Sequence, residues 1–180
     1  STVFADITPI KNLTIHTQFG ADYSHSTAFM RSYPSYIIND GNGSAGRNSS
    51  DALTLSETTT VNYRWALNDD HSLNFLLGQE AVDYQSTGFQ VITRGQANDK
   101  LTNVTSGTRA SSWADSNDSY SYLSFFFRGE YNYKDLYYAE VATRTDASSR
   151  FGKDHRWGVF WSLGFMWNVK HEAFLKDIEW

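Results

Sequence analysis

The sequence predicts an all-β fold, an antiparallel up-and-down meander forming part of a transmembrane β-barrel, from three observations. Apolar and polar residues alternate with period two over run after run, which sends successive side chains to opposite faces of a strand. Aromatic rings gather near both ends of the best runs, with Tyr131, Tyr133, Tyr137 and Tyr138 at one end and Phe151, Trp157, Phe160 and Trp161 at the other. Two interfacial girdles would look like this. Charges, in contrast, sit mid-strand on the opposite face, where Arg128, Glu130, Glu140 and Arg144 can pair across neighbouring strands in a wet lumen. The dry core of a sandwich does not welcome them.

Taken in order, Thr2 to Thr8 reads as a strand running into a tight turn at Pro9 to Asn12. From Leu13 the alternation is cleanest: Leu13, Ile15, Thr17, Phe19, Ala21 and Tyr23 face one way, and the polar residues between them face the other. The pattern loosens through Ser26 to Tyr33, as expected of a strand projecting beyond a membrane, and Pro34 to Ser50 is predicted as a loop rich in Gly, Ser and Asn. Leu53 to Leu67 alternates again, with Glu57 breaking its oily side; a carboxylate there is costly at mid-membrane and tolerable near the rim. Asn68 to His71 makes a short turn, and Leu73, Phe75 and Leu77 begin a return strand that continues to Tyr84.

Gln85 to Asp118 is predicted as the longest polar connection, with Phe89 to Ile92 and Gln96 to Val104 as candidates for a short strand or helical turn inside it. The next strand places Leu123, Phe125, Phe127, Tyr131 and Tyr133 opposite Ser124, Arg128, Glu130 and Asn132. After a turn at Lys134 to Leu136, a further strand sets Tyr137, Ala139, Val141 and Thr143 against Glu140, Arg144 and Asp146. A loop at Ala147 to Arg156 leads to the last strand, whose Val159, Trp161, Leu163, Phe165 and Trp167 share a face. About seven strands are thus expected, with short turns at one end and long loops at the other, the asymmetry of outer-membrane barrels.

Bulk properties remove other classes. No run of about 18 apolar residues is present, so no transmembrane helix is expected; the mean hydropathy of -0.51 is no argument against a barrel, whose strands alternate. A net charge of -5 lacks the basic stripe that a nucleic-acid partner needs. Zero cysteines exclude disulfide frameworks and Cys-based metal sites.

The stretch Arg144-Thr145-Asp146-Ala147-Ser148-Ser149-Arg150-Phe151-Gly152-Lys153-Asp154-His155-Arg156-Trp157-Gly158, continued to Met166-Trp167 and followed by His171-Glu172-Ala173-Phe174, resembles the barrel signature of the SusC/RagA-type TonB-dependent outer-membrane transporters. The Ser-Ser-Arg-Phe-Gly-Lys element, the Arg-Trp-Gly after it and the Glu-Ala-Phe helix start keep the family's order and spacing. Gly78-Gln79-Glu80 resembles the family too, while Ala147, Val159 and Trp161 depart from it. The resemblance implies a barrel of roughly 22 strands with a plugged lumen, of which residues 1–180 would be a partial barrel lacking the plug and the remaining strands. It further implies a non-enzymatic importer of oligosaccharides or peptides in the outer membrane of a Gram-negative bacterium. A SusD-like surface lipoprotein would lid the barrel, and the TonB complex would supply energy through the plug.

Motifs that could carry chemistry are few. Asp40-Gly41-Asn42-Gly43 has the oxygen-rich look of a calcium loop but lacks the distant Glu, and a turn is the better reading. His171-Glu172 offers one metal ligand per helix face, because position 175 is Leu. No catalytic, metal or cofactor residue is therefore expected. The acids Asp22, Glu130, Glu140 and Asp146 could form a glycosidase pair, but residues of this kind on a barrel's inner face are usually ion pairs. Arg64, Arg128, Glu130, Glu140 and Arg144 are expected to line the lumen. Tyr84, Phe89 and Trp113 are candidate aromatics of the substrate mouth, since flat rings stack on sugar faces; anchoring of the loop explains them equally well. The alternative architecture is a soluble all-β carbohydrate-binding sandwich with the same rings as its platform.

Overall fold

The computed structural model describes residues 1–39, 41–152 and 155–172. They form one antiparallel sheet of seven strands, each bonded to its neighbours in sequence. The strands are β1 (Thr2–Ile10), β2 (Leu13–Ser32), β3 (Gly43–Ala66), β4 (His71–Gln96), β5 (Arg109–Tyr133), β6 (Tyr137–Ser148) and β7 (Trp157–Trp167). Among the described residues Ala45 is the only buried hydrophobic side chain. A sandwich would bury one face of each of two sheets; the described residues form a single sheet with no such core, so the meander expected of a barrel wall is what they form. The helix start expected at Glu172-Ala173-Phe174 lies largely outside the described residues; before it, Val169–His171 is a 3-10 turn.

The chain divides into two compact units, one built from Ser1–Ala21, Leu55–Asp83 and the described residues from Tyr120 onward, the other from Asp22–Thr54 and Tyr84–Ser119. In the first unit, each short turn has a local cause. Asn12, at φ 66°, supplies the left-handed residue between β1 and β2, a conformation Asn tolerates. Asn68 accepts from the backbone amides of Asp70 (2.9 Å) and His71 (3.0 Å), closing an Asx turn between β3 and β4. Lys134 and Asp135 both have positive φ, 55° and 56°, and Leu136 N–H donates to the Tyr133 carbonyl at 3.0 Å. That is the I′ geometry whose twist suits a hairpin. Pro9 lies in β1, where the register with β2 shifts between Ile7 and Ile10; a residue without an N–H is accommodated at such an irregularity.

The registers bear out the two faces expected for the last three strands. Phe127 pairs with Thr143 and Thr143 with Trp161; Gly129 pairs with Val141 and Val141 with Leu163; Tyr131 pairs with Ala139 and Ala139 with Phe165. This face is apolar and open, with Phe165 83% and Trp161 74% exposed. On the other face Ser124 pairs with Asp146, Phe126 with Arg144, and Glu130 with Glu140. Phe126 is an aromatic on the polar side, and the reason is Gly78: a Cβ built there would collide with the Phe126 ring. The ring occupies the space the missing side chain leaves, and Arg144 lies 5.6 Å above it.

Glu57 on the apolar side of β3 is fully engaged. One oxygen accepts from Thr59 Oγ1 at 2.5 Å and the other from Gln79 Nε2 at 2.8 Å, while Thr59 also meets the Thr17 hydroxyl. Hydrogen bonding of this kind lowers the cost of a carboxylate on an oily surface.

In the second unit the strands run further than the alternation suggested. β3 begins at Gly43, β4 continues to Gln96 and β5 begins at Arg109, so about half of the loop expected at Pro34 to Ser50 and most of the one expected at Gln85 to Asp118 are strand. Polar residues occupy consecutive positions at Ser86 and Thr87 and at Ser111 and Ser112, and so fall on both sides of the sheet, and a strand of that kind carries no apolar alternation to read. The connections that remain are residues 33–42, with a 3-10 turn at Ile37–Asn39, and residues 97–108, with one at Val104–Ser106. They are tied together: Asp99 accepts from Ser35 Oγ at 2.6 Å and from its backbone amide at 3.2 Å, and Arg31 donates to the Asp99 carbonyl. Tyr23 and His25 of β2 both bond Asp51 of β3, the latter at 2.9 Å, and pin that strand pair.

Replacing Gly78 by Val should lower the stability of the folded protein by about 1–3 kcal/mol, the usual cost of overpacking. Adding Phe126→Ala to the same chain should recover most of it. Denaturant unfolding followed by tryptophan fluorescence measures both.

Candidate functional site

The polar face of the first unit carries the charges, and its strands position them by parity. Counting up β5 from the turn at Lys134, Asn132, Glu130 and Arg128 alternate onto one side; counting up β6, Tyr138, Glu140 and Ala142 fall opposite them. Glu130 and Glu140 are therefore direct cross-strand neighbours of like charge, an unfavourable pair by itself. Arg128 resolves it by reaching both, with its guanidinium 2.5 Å from Glu130 and 2.7 Å from Glu140. Glu130 accepts a further bond from Asn74 Nδ2 of β4 at 3.0 Å. All three ionic side chains are more than a third exposed, so each pair contributes little stability alone.

Arg144 is the centre of a second cluster. It donates to Asp146 at 2.7 Å, to Glu80 of β4 at 2.9 Å and to the buried Ser124 hydroxyl at 3.0 Å. Of the five charged residues expected to share a wall, Arg64, Arg128, Glu130 and Glu140 line one cavity of about 640 Å³ with Asn74, Asn132 and Tyr138. Arg144 stands outside it, on its own acids. Asn74 and Glu80 were not anticipated. Counting by parity from the Asn68 to His71 turn would have put both on the polar side.

The three candidate aromatics do not form one platform. Tyr84 and Phe89 both lie on β4, and Trp113 on β5, so none of them is in a loop. An odd number of positions separates Tyr84 from Phe89, which sends them to opposite faces. Ser116 and Gly88 face each other on one side, which leaves Trp113 and Phe89 on the other. Trp113 is 72% exposed and Phe89 53%. Among the described residues no group of three His, Cys, Asp or Glu is placed to hold a metal ion.

At the turn end of the first unit, Lys134 lies 3.7 Å from Asp70. A hydrogen bond with Tyr133, and then the Asp70 carboxylate, hold its ammonium above the ordinary lysine range.

No family model matches the chain. The TonB-dependent receptor SusC of Bacteroides thetaiotaomicron is 28% identical over 169 residues, covering 94% of this chain and 16% of the receptor. The TonB-dependent receptor P26 of Formosa agariphila is 24% identical over 186 residues, 98% of this chain and 18% of that protein. The chain thus spans less than a fifth of the curated relatives it matches. Among solved structures, the RagAB peptide transporter superposes with a TM-score of 0.92 at 29% identity, over 99% of this chain and 20% of that one. These proteins are named as receptors and transporters.

Arg128→Met should lower the denaturant midpoint by leaving Glu130 and Glu140 face to face; Glu140→Gln added to it should restore the midpoint, and the deficit should shrink in high salt. For Lys134, the folded value lies above the unfolded one, so its stabilising contribution is complete below the unfolded lysine value and disappears as pH rises through the raised folded value. Carbon-13 shifts of dimethylated Lys134 should therefore titrate later than those of a free lysine, and Asp70→Asn should bring the titration earlier.

Proposed function

We propose that the chain is a barrel segment of a SusC/RagA-type TonB-dependent transporter and forms part of the wall of an importer in a Gram-negative outer membrane. The apolar face meets lipid and the polar face lines the lumen. One observation carries this reading: on β5 and β6 the two faces of a single sheet are chemically sorted, with Phe125 and Val141 open on one side, continued on β7 by Trp161, Leu163 and Phe165, and every ion pair of Arg128 and Arg144 on the other. A sheet with no core of its own needs two different solvents to sort that way.

The strand lengths support the same reading. β6 has 12 residues and β7 has 11, close to the roughly 9–11 that cross a bilayer at a tilt. The 24 to 26 residues of β3, β4 and β5 are far more than one crossing requires. In this reading Arg64, Arg128, Glu130, Glu140 and Arg144 belong to the lumen wall, and the loops at residues 33–42 and 97–108 belong to the outer mouth. Tyr84 faces one side of that mouth and Phe89 and Trp113 the other. The transported solute is an oligosaccharide or a peptide, the two classes the family resemblance implies; the likeness to a peptide transporter supports the second. The parent would supply the plug and the remaining strands, the TonB complex the energy, and a SusD-like surface lipoprotein the lid. The process is transport, with no catalytic step.

Nitroxide labels at Phe127 and Leu163 of the full-length parent in outer-membrane vesicles should be relaxed by oxygen, which concentrates in lipid. Labels at Glu140 and Asn132 should respond to a water-soluble nickel chelate. A packed protein environment at Phe127 and Leu163 would end the proposal.

A further inference from the structure

Arg64, Arg128 and Arg144 project from strands of the first unit, and two of them are committed. Arg128 is held by Glu130 and Glu140, and Arg144 by Glu80 and Asp146. Arg64 is different. Among the described residues its side chain has neither a hydrogen bond nor an ion pair, although it lines the same cavity as Glu130 and Glu140.

The sheet order explains why. Arg64 is on β3 and Glu130 on β5, with β4 between them. From β4, Asn74 donates its amide to Glu130 at 3.0 Å, and Arg128 supplies the remaining cation. Glu130 is thereby satisfied without Arg64, and Glu140 lies one strand further away. An uncommitted guanidinium is left at one end of a 640 Å³ cavity, a volume in the range of ligand sites. Its five donors lie in a planar fork that matches a carboxylate. Beyond it the cavity presents Glu130 and Glu140 oxygens with Asn132 and Tyr138, groups that accept from N–H or O–H donors, and Gly164, Phe165 and Met166 of β7 line its far side. The two arginines and two glutamates balance, so the cavity does not ask for a highly charged solute.

We propose that this cavity is a docking point for a carboxylate carried by a passing oligomer, with Arg64 as the anchor and the Glu130 and Glu140 end receiving the oligomer's N–H or O–H groups. This rests on the polar face being the lumen wall. A peptide with a free C-terminus and an oligosaccharide containing a uronic acid present the same chemistry, and the test separates them.

The test uses the detergent-purified full-length parent and calorimetry with two matched pairs of probes. One pair is an N-acetylated oligoalanine with a free carboxylate and its C-terminal amide; the other is trigalacturonate and galactotriose. In at least one pair the carboxylate form should bind about tenfold tighter, the scale of a charge-assisted hydrogen bond, and which pair shows it identifies the source. Arg64→Gln should abolish that preference, and Arg64→Lys, which keeps the charge without the fork, should retain part of it. Heat-modifiable migration in gels checks that each variant is folded; if Arg64→Gln is not, a reduced preference in Arg64→Lys supports the anchor in its place. Equal binding within both pairs, no binding of either acid, or an undiminished preference after substitution of Arg64 would overturn the proposal. Lipid contact at Leu163 together with any of those results removes the anchor and leaves the barrel reading standing.

Discussion

A backbone amide in hydrocarbon has no water to bond, so every N–H and C=O that crosses a membrane must find its partner in the protein. A sheet meets that condition through its ladder, and here each strand from β1 to β7 is bonded to the next in sequence order. Once the backbone is satisfied, side chains are free to specialise by face. Because successive residues alternate, one strand can offer Phe127 to an oily medium and Arg128 to a wet one without any interior of its own. The absence of a buried apolar core among the described residues, Ala45 apart, is then expected rather than a sign of poor packing.

The polar face has to solve a different problem, since parity alone brings Glu130 and Glu140 side by side. Arg128 bridging both, and Asn74 donating to Glu130 from the neighbouring strand, turn a repulsive pair into a bonded row. Arg144 plays the same part for Glu80 and Asp146. Phe126 would be out of place among these charges, yet it fills the gap over Gly78 and offers its ring to the Arg144 guanidinium. Arg64 stands out because the same economy of partners leaves it over.

The apolar face has its own exception in Glu57. Two donors from two strands, Thr59 and Gln79, hold its carboxylate, so a residue that looked like a defect in the alternation is the acceptor at the centre of a small network. Polar groups on an oily surface are tolerated when they satisfy one another.

Period-two alternation from Leu13 and again from Leu123 was enough to read the fold class, the strand faces and the short turns, because a half-buried strand writes its two solvents directly into the order of its residues. The resemblance in residues 144–167 and 171–174 pointed to the SusC/RagA-type transporters, and the chain is similar to SusC and RagAB. What the chain alone did not reveal was how far β3, β4 and β5 run, since strands wet on both sides leave no alternation, nor which charges share a cavity. Arg64 and Arg144 look alike in sequence; only the pairing of strands, which sets Asn74 between Arg64 and Glu130 and brings Glu80 to Arg144, separates a free guanidinium from a bonded one. Cross-strand neighbours are fixed by register, and register joins residues that are far apart along the chain.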